Sequence, residues 1–162
     1  MVESHTFLDT IYTGWEDCQG RLIKAVAPLS PDQLALRAAP QLRSLGEIAG
    51  HIARGRARWL HYALGEGTET TAPILARPAA GAPAATAAEL VSGLEATWAD
   101  LAAARARRTL PAMTQPFTIM LNGEERTLTR QWVLWHLLEH DLHHGGELAL
   151  GLGMHGLAAP EL

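Results

Sequence analysis

Between Trp135 and His144 the chain carries four of its eight histidines, His136, His140, His143 and His144, in a segment patterned to be helical. His140 and His144 are four residues apart. An α-helix turns once in about 3.6 residues, so these two imidazoles share a face and can point at one cation. Two imidazoles do not close a metal site. A third ligand has to come from another element, and His51 is the best candidate. At about 100° per residue, His136, His143, His144 and Glu147 all fall within about 60° of His140. A buried polar group left unpaired costs roughly 1–3 kcal/mol, and a bound metal would remove that cost for the ligands. His136 and His143 are expected to surround the site or face solvent.

Three neutral imidazoles leave coordination positions open, as in a catalytic rather than a structural metal site. A cation held that way can lower the pKa of bound water to about 7, or keep a thiol as its thiolate. His140-Asp141-x-x-His144 also has the frame of the zincin motif His-Glu-x-x-His, with Asp in place of Glu. Asp141 is shorter than Glu and lies about 100° from His140, so Glu147 is the better candidate for a general base. Glu147 would serve equally as a fourth ligand, or as an acceptor that holds one imidazole tautomer.

The elements that must position these residues read as helices. Phe7, Ile11, Trp15, Leu22 and Val26 recur at helical intervals from about Ser4 to Ala27, and Pro28 stops that first helix. Ser30-Pro31-Asp32-Gln33 encodes a short helical turn. Ser44-x-x-Glu47 is a capping box that opens a second long helix, with Leu45, Ile48, Ile52, Trp59 and Ala63 as its stripe and Gly65 and Gly67 at its end. His51 lies along that stripe, whereas His61 is about 80° round from it. Residues 66–85 are rich in Gly, Thr, Pro and Ala and are expected to be irregular. A connection of that length reaches roughly 60 Å, so the helices it joins can run parallel. Thr86-x-x-Glu89 opens a third helix through Leu90, Leu94, Trp98 and Leu101 to near Arg108. Around Asn122-Gly123 the segment from Phe117 to Leu128 predicts a β-hairpin with a two-residue turn. Thr129 then caps the histidine helix, expected to break at Gly151 and Gly153 after about Leu150. Within it, Gly145-Gly146 points to close packing, and the five tryptophans read mainly as core. The face opposite the histidines carries Trp135, Leu138, Leu142 and Ala149. This helix is therefore apolar nearly all round, and a homodimer interface on that side is expected.

Composition narrows the function classes. With 162 residues, the chain suits one domain spanning residues 1–162. The 13 Lys and Arg are dispersed and the net charge is −4, so nucleic acid is a poor partner. Cys18 is the only cysteine, which excludes an internal disulfide and a paired-cysteine redox site. The first residues, Met-Val-Glu-Ser-His-Thr-Phe, do not show a basic n-region followed by an apolar h-region, and nowhere do about 18 apolar residues run together. A cytoplasmic protein that does not engage membranes is expected.

His51 after a Ser-Leu-Gly-Glu helix start, followed by Glu-His-Asp-Leu-His-His-Gly-Gly-Glu-Leu, resembles the DinB/YfiT-like family of metalloenzymes. The resemblance covers most of the chain. It implies an all-α four-helix bundle with up-down-down-up connectivity, and a divalent metal, zinc or nickel before iron or manganese, on His51, His140 and His144. Many relatives carry Arg and Gln where this chain reads His144-Gly145-Gly146-Glu147, so the role of those side chains does not transfer. Some relatives resemble transferases and isomerases that use a low-molecular-weight thiol such as mycothiol. The first expectation is therefore a metal-dependent thiol transferase or isomerase acting on a small electrophile. A hydrolase using water activated at the metal is the alternative, and a non-catalytic metal- or small-molecule-binding stress protein is the third.

Overall fold

The computed structural model describes residues 7–76, 84–107, 109–121 and 123–160, leaving aside the side chains of residues 7, 8 and 110. It is mostly helical. In chain order come α1 (Phe7–Val26), α2 (Pro31–Ala35), α3 (Leu45–Trp59), α4 (Ala87–Ala106), α5 (Leu110–Thr114), the strands β1 (Pro116–Leu121) and β2 (Glu124–Thr129), and α6 (Arg130–Met154). The brief α5 has no counterpart in the sequence reading.

Polar side chains set the helix starts. Ser30, Ser44 and Thr86 each accept a hydrogen bond from the backbone N–H three residues on, while Gln33, Glu47 and Glu89 accept from the cap N–H. Each pair satisfies two N–H groups that the helix cannot. Thr129 caps α6 by accepting from the Trp132 N–H. One π turn, Leu60–Leu64, prolongs α3 until Gly65 stops it at φ 65°.

Two expectations are corrected. The histidine helix does not break at Gly151 or Gly153 but runs to Met154. Gly156 stops it, at φ 66°, with the Leu157 N–H bonded to the Leu152 carbonyl at 3.0 Å, a left-handed C-terminal cap. Gly151 instead admits a neighbour, since a Cβ there would lie 2.7 Å from Leu45 Cδ2. The crossover is also more ordered than its composition predicts, because Ala72–Leu75 form a 3₁₀ turn. Asp100 of α4 ties it down, accepting from Thr68 N (3.1 Å), Thr68 Oγ1 (3.0 Å) and Thr71 Oγ1 (2.7 Å). Pro78, Pro83, Arg108 and Asn122 lie outside the described residues, as do residues 4–6 of the first helical pattern.

The hairpin forms as expected, antiparallel from Pro116↔Thr129 to Leu121↔Glu124, with Gly123 at φ 85°. It packs against α6 through β2 and through Phe117, which is partly buried against the tryptophan-rich end of the core.

Contacts between α3 and α4 advance together, Gly50 against Leu90 and Ala53 against Gly93. Those between α3 and α6 run oppositely, with Leu45 against Gly151, Gly55 against His140 and Trp59 near Trp132. The core divides into two apolar clusters. One gathers Leu22, Val26, Ile52, Leu94, Leu148 and Leu152, the other Trp15, Leu60, Leu101, Val133 and Leu137. Between them each long helix contributes a buried polar residue: Gln19, Arg56, Thr97 and Asp141. Among the described residues, no helix is long and apolar enough to cross a membrane.

Candidate metal centre

The histidines lie at the level of that polar layer. Ile48 and Ile52 are buried and hold α3 against the core, which leaves His51 at the edge of the interface with α6. Val133, Leu137 and Leu148 do the same for α6, turning His140 and His144 toward α3. The Nε2 atoms of His51 and His140 stand 3.2 Å apart. Ring centroids are separated by 4.9 Å for His51 and His140, and by 4.5 Å for His144 from either ring. One nitrogen from each ring lies within 4.8 Å of the others, so the group could hold a metal ion.

Gly55 makes this approach feasible. A Cβ at that position would sit 2.5 Å from His140 Cε1 and 2.9 Å from its Nε2, closer than a side chain tolerates. Mid-helix glycine costs about 1 kcal/mol relative to alanine, and here the close ring contact explains its presence.

Burial and nearby charge keep two of the three rings, those of His51 and His144, neutral. Burial first, then the charges of Arg43, the other two histidines and Arg54, push His51 down to about 4. Burial, with His140 and His143, lowers His144 below its usual range despite the opposing carboxylate of Glu147. Both are therefore unprotonated at neutral pH, with a lone pair free to bind a cation. Glu147 Oε2 lies 2.7 Å from His144 Nδ1, and its Oε1 lies 3.4 Å from His143 Nε2. Burial alone would raise the Glu147 carboxyl, but the bond to His144 and the nearby positive charges outweigh it and hold it low.

Asp141 does something the zincin analogy did not foresee. Its carboxylate turns into the core, accepting from Arg56 Nε at 2.9 Å to Oδ2 and 3.1 Å to Oδ1, and from Trp15 Nε1 at 2.7 Å. Arg56 Nη1 donates to Gln19 Oε1 at 2.7 Å. Burial opposes ionisation of Asp141, but Arg56 and these hydrogen bonds prevail and keep its carboxyl below the usual range. Both partners are almost inaccessible, with side chains 0% and 2% exposed. Asp141 is thus occupied by Arg56 and unavailable as a base. Arg56 was legible in one respect: it falls four residues after Ile52, on the apolar stripe, where a charge needs a buried partner.

His61, His136 and His143 stand apart from the three. His61 binds Thr71 Oγ1 at 2.9 Å, within the crossover anchor. His136 stacks on Trp132 at 5.2 Å and meets Trp59 edge-on at 4.9 Å, so two tryptophans and an imidazole form an aromatic row beside His140. His143 is largely exposed. Trp15 and Trp98 are in edge contact in the core, whereas Trp135 faces outward, 56% exposed. Gly145 is buried, but among the described residues nothing lies within 4 Å of a Cβ built at Gly146, so their packing accounts only for the first.

Comparison with known proteins agrees with this architecture. A DinB-like protein from Bacillus cereus ATCC 10987 superposes with a TM-score of 0.72 at 19% identity, over 96% of this chain and 97% of that one. No curated protein matches the chain significantly. The sequence profile of the DinB superfamily matches residues 15–148, from the tryptophan that binds Asp141 to the leucine after Glu147. The chain belongs to the DinB superfamily.

Proposed function

We propose that the protein is a metal-dependent transferase or isomerase that joins a low-molecular-weight thiol of the mycothiol type to a small electrophile, with His51, His140 and His144 as the metal ligands. The observation that carries this reading is the convergence of three imidazoles, two of them held neutral, where α3 meets α6, with two of the three residues only partly buried. Nitrogen donors of this kind suit zinc and nickel before iron or manganese. A divalent cation bound there supplies Lewis acidity, which favours a thiolate or a hydroxide at neutral pH.

The chain's own residues do the rest. Gly55 lets His140 close on α3, Glu147 faces His144, and the Trp59, Trp132 and His136 row offers an apolar wall for the electrophile. With Asp141 committed to Arg56, the hydrolytic alternative retains only Glu147 as a base. The wider arrangement we infer is an up-down-down-up four-helix bundle, supported by the parallel advance of contacts along α3 and α4. We also infer that a second copy covers the outer face of α6, where Trp135, Leu142, Leu150 and Met154 are exposed, and that the protein acts in the cytoplasm.

Elemental analysis of untagged protein tests the metal, with one divalent ion per chain expected and its loss expected in His140→Ala. Titration of cobalt-loaded protein with mycothiol should then change the visible absorption. Absence of stoichiometric metal would overturn the whole reading. An unchanged spectrum, together with metal-dependent ester or lactone turnover, would replace the transferase with a hydrolase.

A further inference from the structure

Resting on that reading of the three histidines, we propose that Glu147 is a positioning residue for the metal: its carboxylate holds His144 as the Nδ1–H tautomer, so that Nε2 is the nitrogen presented to a cation. The geometry is specific. Glu147 Oε2 and His144 Nδ1 are 2.7 Å apart, a charge-assisted distance, and an ionised carboxylate can only accept. The proton must then reside on Nδ1. The lone pair is left on Nε2, across the ring. His144 is itself buried, and its ring stands edge-on at 90° to His51 and 72° to His140, so rotation would disturb both neighbours.

His140 provides the contrast. Its Nδ1 is buried and has no hydrogen-bond partner among the described residues, with Asp141 Oδ1 3.9 Å away and held by Arg56. Of the two proposed ligands on α6, only His144 has its tautomer set from behind. The second oxygen of Glu147 lies 3.4 Å from His143 Nε2, which steadies the carboxylate on the solvent side. Glu147, His143 and His144 also form a cluster of possible ligands in their own right. Direct ligation by Glu147 is therefore the competing arrangement, and it has a different signature.

Long-range ¹H–¹⁵N correlation on metal-free protein at pH 7.5 should show His144 protonated on Nδ1 in the wild type and in Glu147→Gln, whose amide oxygen still accepts. In Glu147→Ala the Nε2–H form should appear. Zinc affinity should fall about 10–100-fold in Glu147→Ala and recover most of the loss in Glu147→Gln. Circular dichroism of both variants should match the wild type, since Glu147 is partly exposed. An Nε2–H tautomer in the wild type overturns the proposal, as does a zinc affinity that the alanine variant leaves unchanged. Loss of affinity in both variants identifies a direct carboxylate ligand and overturns it too. If the wild type binds no metal, the proposed function fails, while the tautomer measurement still reports on the Glu147 bond.

Discussion

Arg56 of α3 and Asp141 of α6 form an ion pair across the interface, with Arg56 Nη2 2.7 Å from Asp141 Oδ2 and both side chains shielded from water. The pair stands between the two apolar clusters, next in sequence to His140 on one helix and to Gly55 on the other. It therefore sets the relative height of the two helices that carry the histidines.

Removing one partner strands a buried charge. Asp141→Ala is expected to cost about 3–5 kcal/mol in denaturant unfolding of the metal-free protein, while the double variant Arg56→Met/Asp141→Leu loses much less than the sum of the single changes. A loss below about 1 kcal/mol in Asp141→Ala, typical of an exposed pair, would contradict the buried network.

Gly55→Ala inserts a methyl group where the His140 ring lies. The ring has to move, so zinc affinity measured by calorimetry should fall at least tenfold, with about 1–3 kcal/mol lost in stability from overpacking. Wild-type affinity in this variant would show that His140 does not bind metal in the orientation described.

The metal-free protein should lose stability on acidification from pH 6.5 toward about 4. His51 has a folded pKa below its unfolded one, so the unfolded chain binds the extra proton first within that window. Its contribution is complete above 6.5 and is lost as pH falls through the folded value. His144, also depressed, acts in the same direction. Thermal midpoints recorded across this range should show a shallower slope in His51→Gln than in the wild type. Equal slopes would mean that burial does not depress His51.

Sedimentation at micromolar concentration should give a dimer, and Trp135→Glu combined with Leu142→Glu should give a folded monomer. Both residues belong to the apolar outer stripe of α6. A monomeric wild type would dispose of that interface.

Much of this organisation was legible in local chemistry. Three capping boxes mark helix starts at Ser30, Ser44 and Thr86, because each satisfies N–H groups from within a few residues and needs no distant partner. The hairpin around Gly123 is local in the same sense. Glycine was read less well. Gly151 has a breaker's composition but sits inside the helix, since whether a glycine ends a helix or admits a neighbour depends on what packs there. The order in the crossover was hidden likewise, because Asp100 anchors it from about thirty residues away, beyond any periodic pattern.

The sequence by itself determined the helices and the pairing of His140 with His144, because a four-residue spacing on a helix is geometry that no tertiary contact alters. It also placed His51 on the edge of an apolar stripe. Only the tertiary structure decided which of the polar groups on α6 look into the histidine cluster. Asp141 and Glu147 are both carboxylates near ligating positions, and helix geometry favoured Glu147 without showing what engages Asp141. Trp15 and Arg56, the latter held in turn by Gln19, converge from other helices to claim Asp141, because a buried charge must be paired, while Glu147 remains at the surface, with His144 within reach.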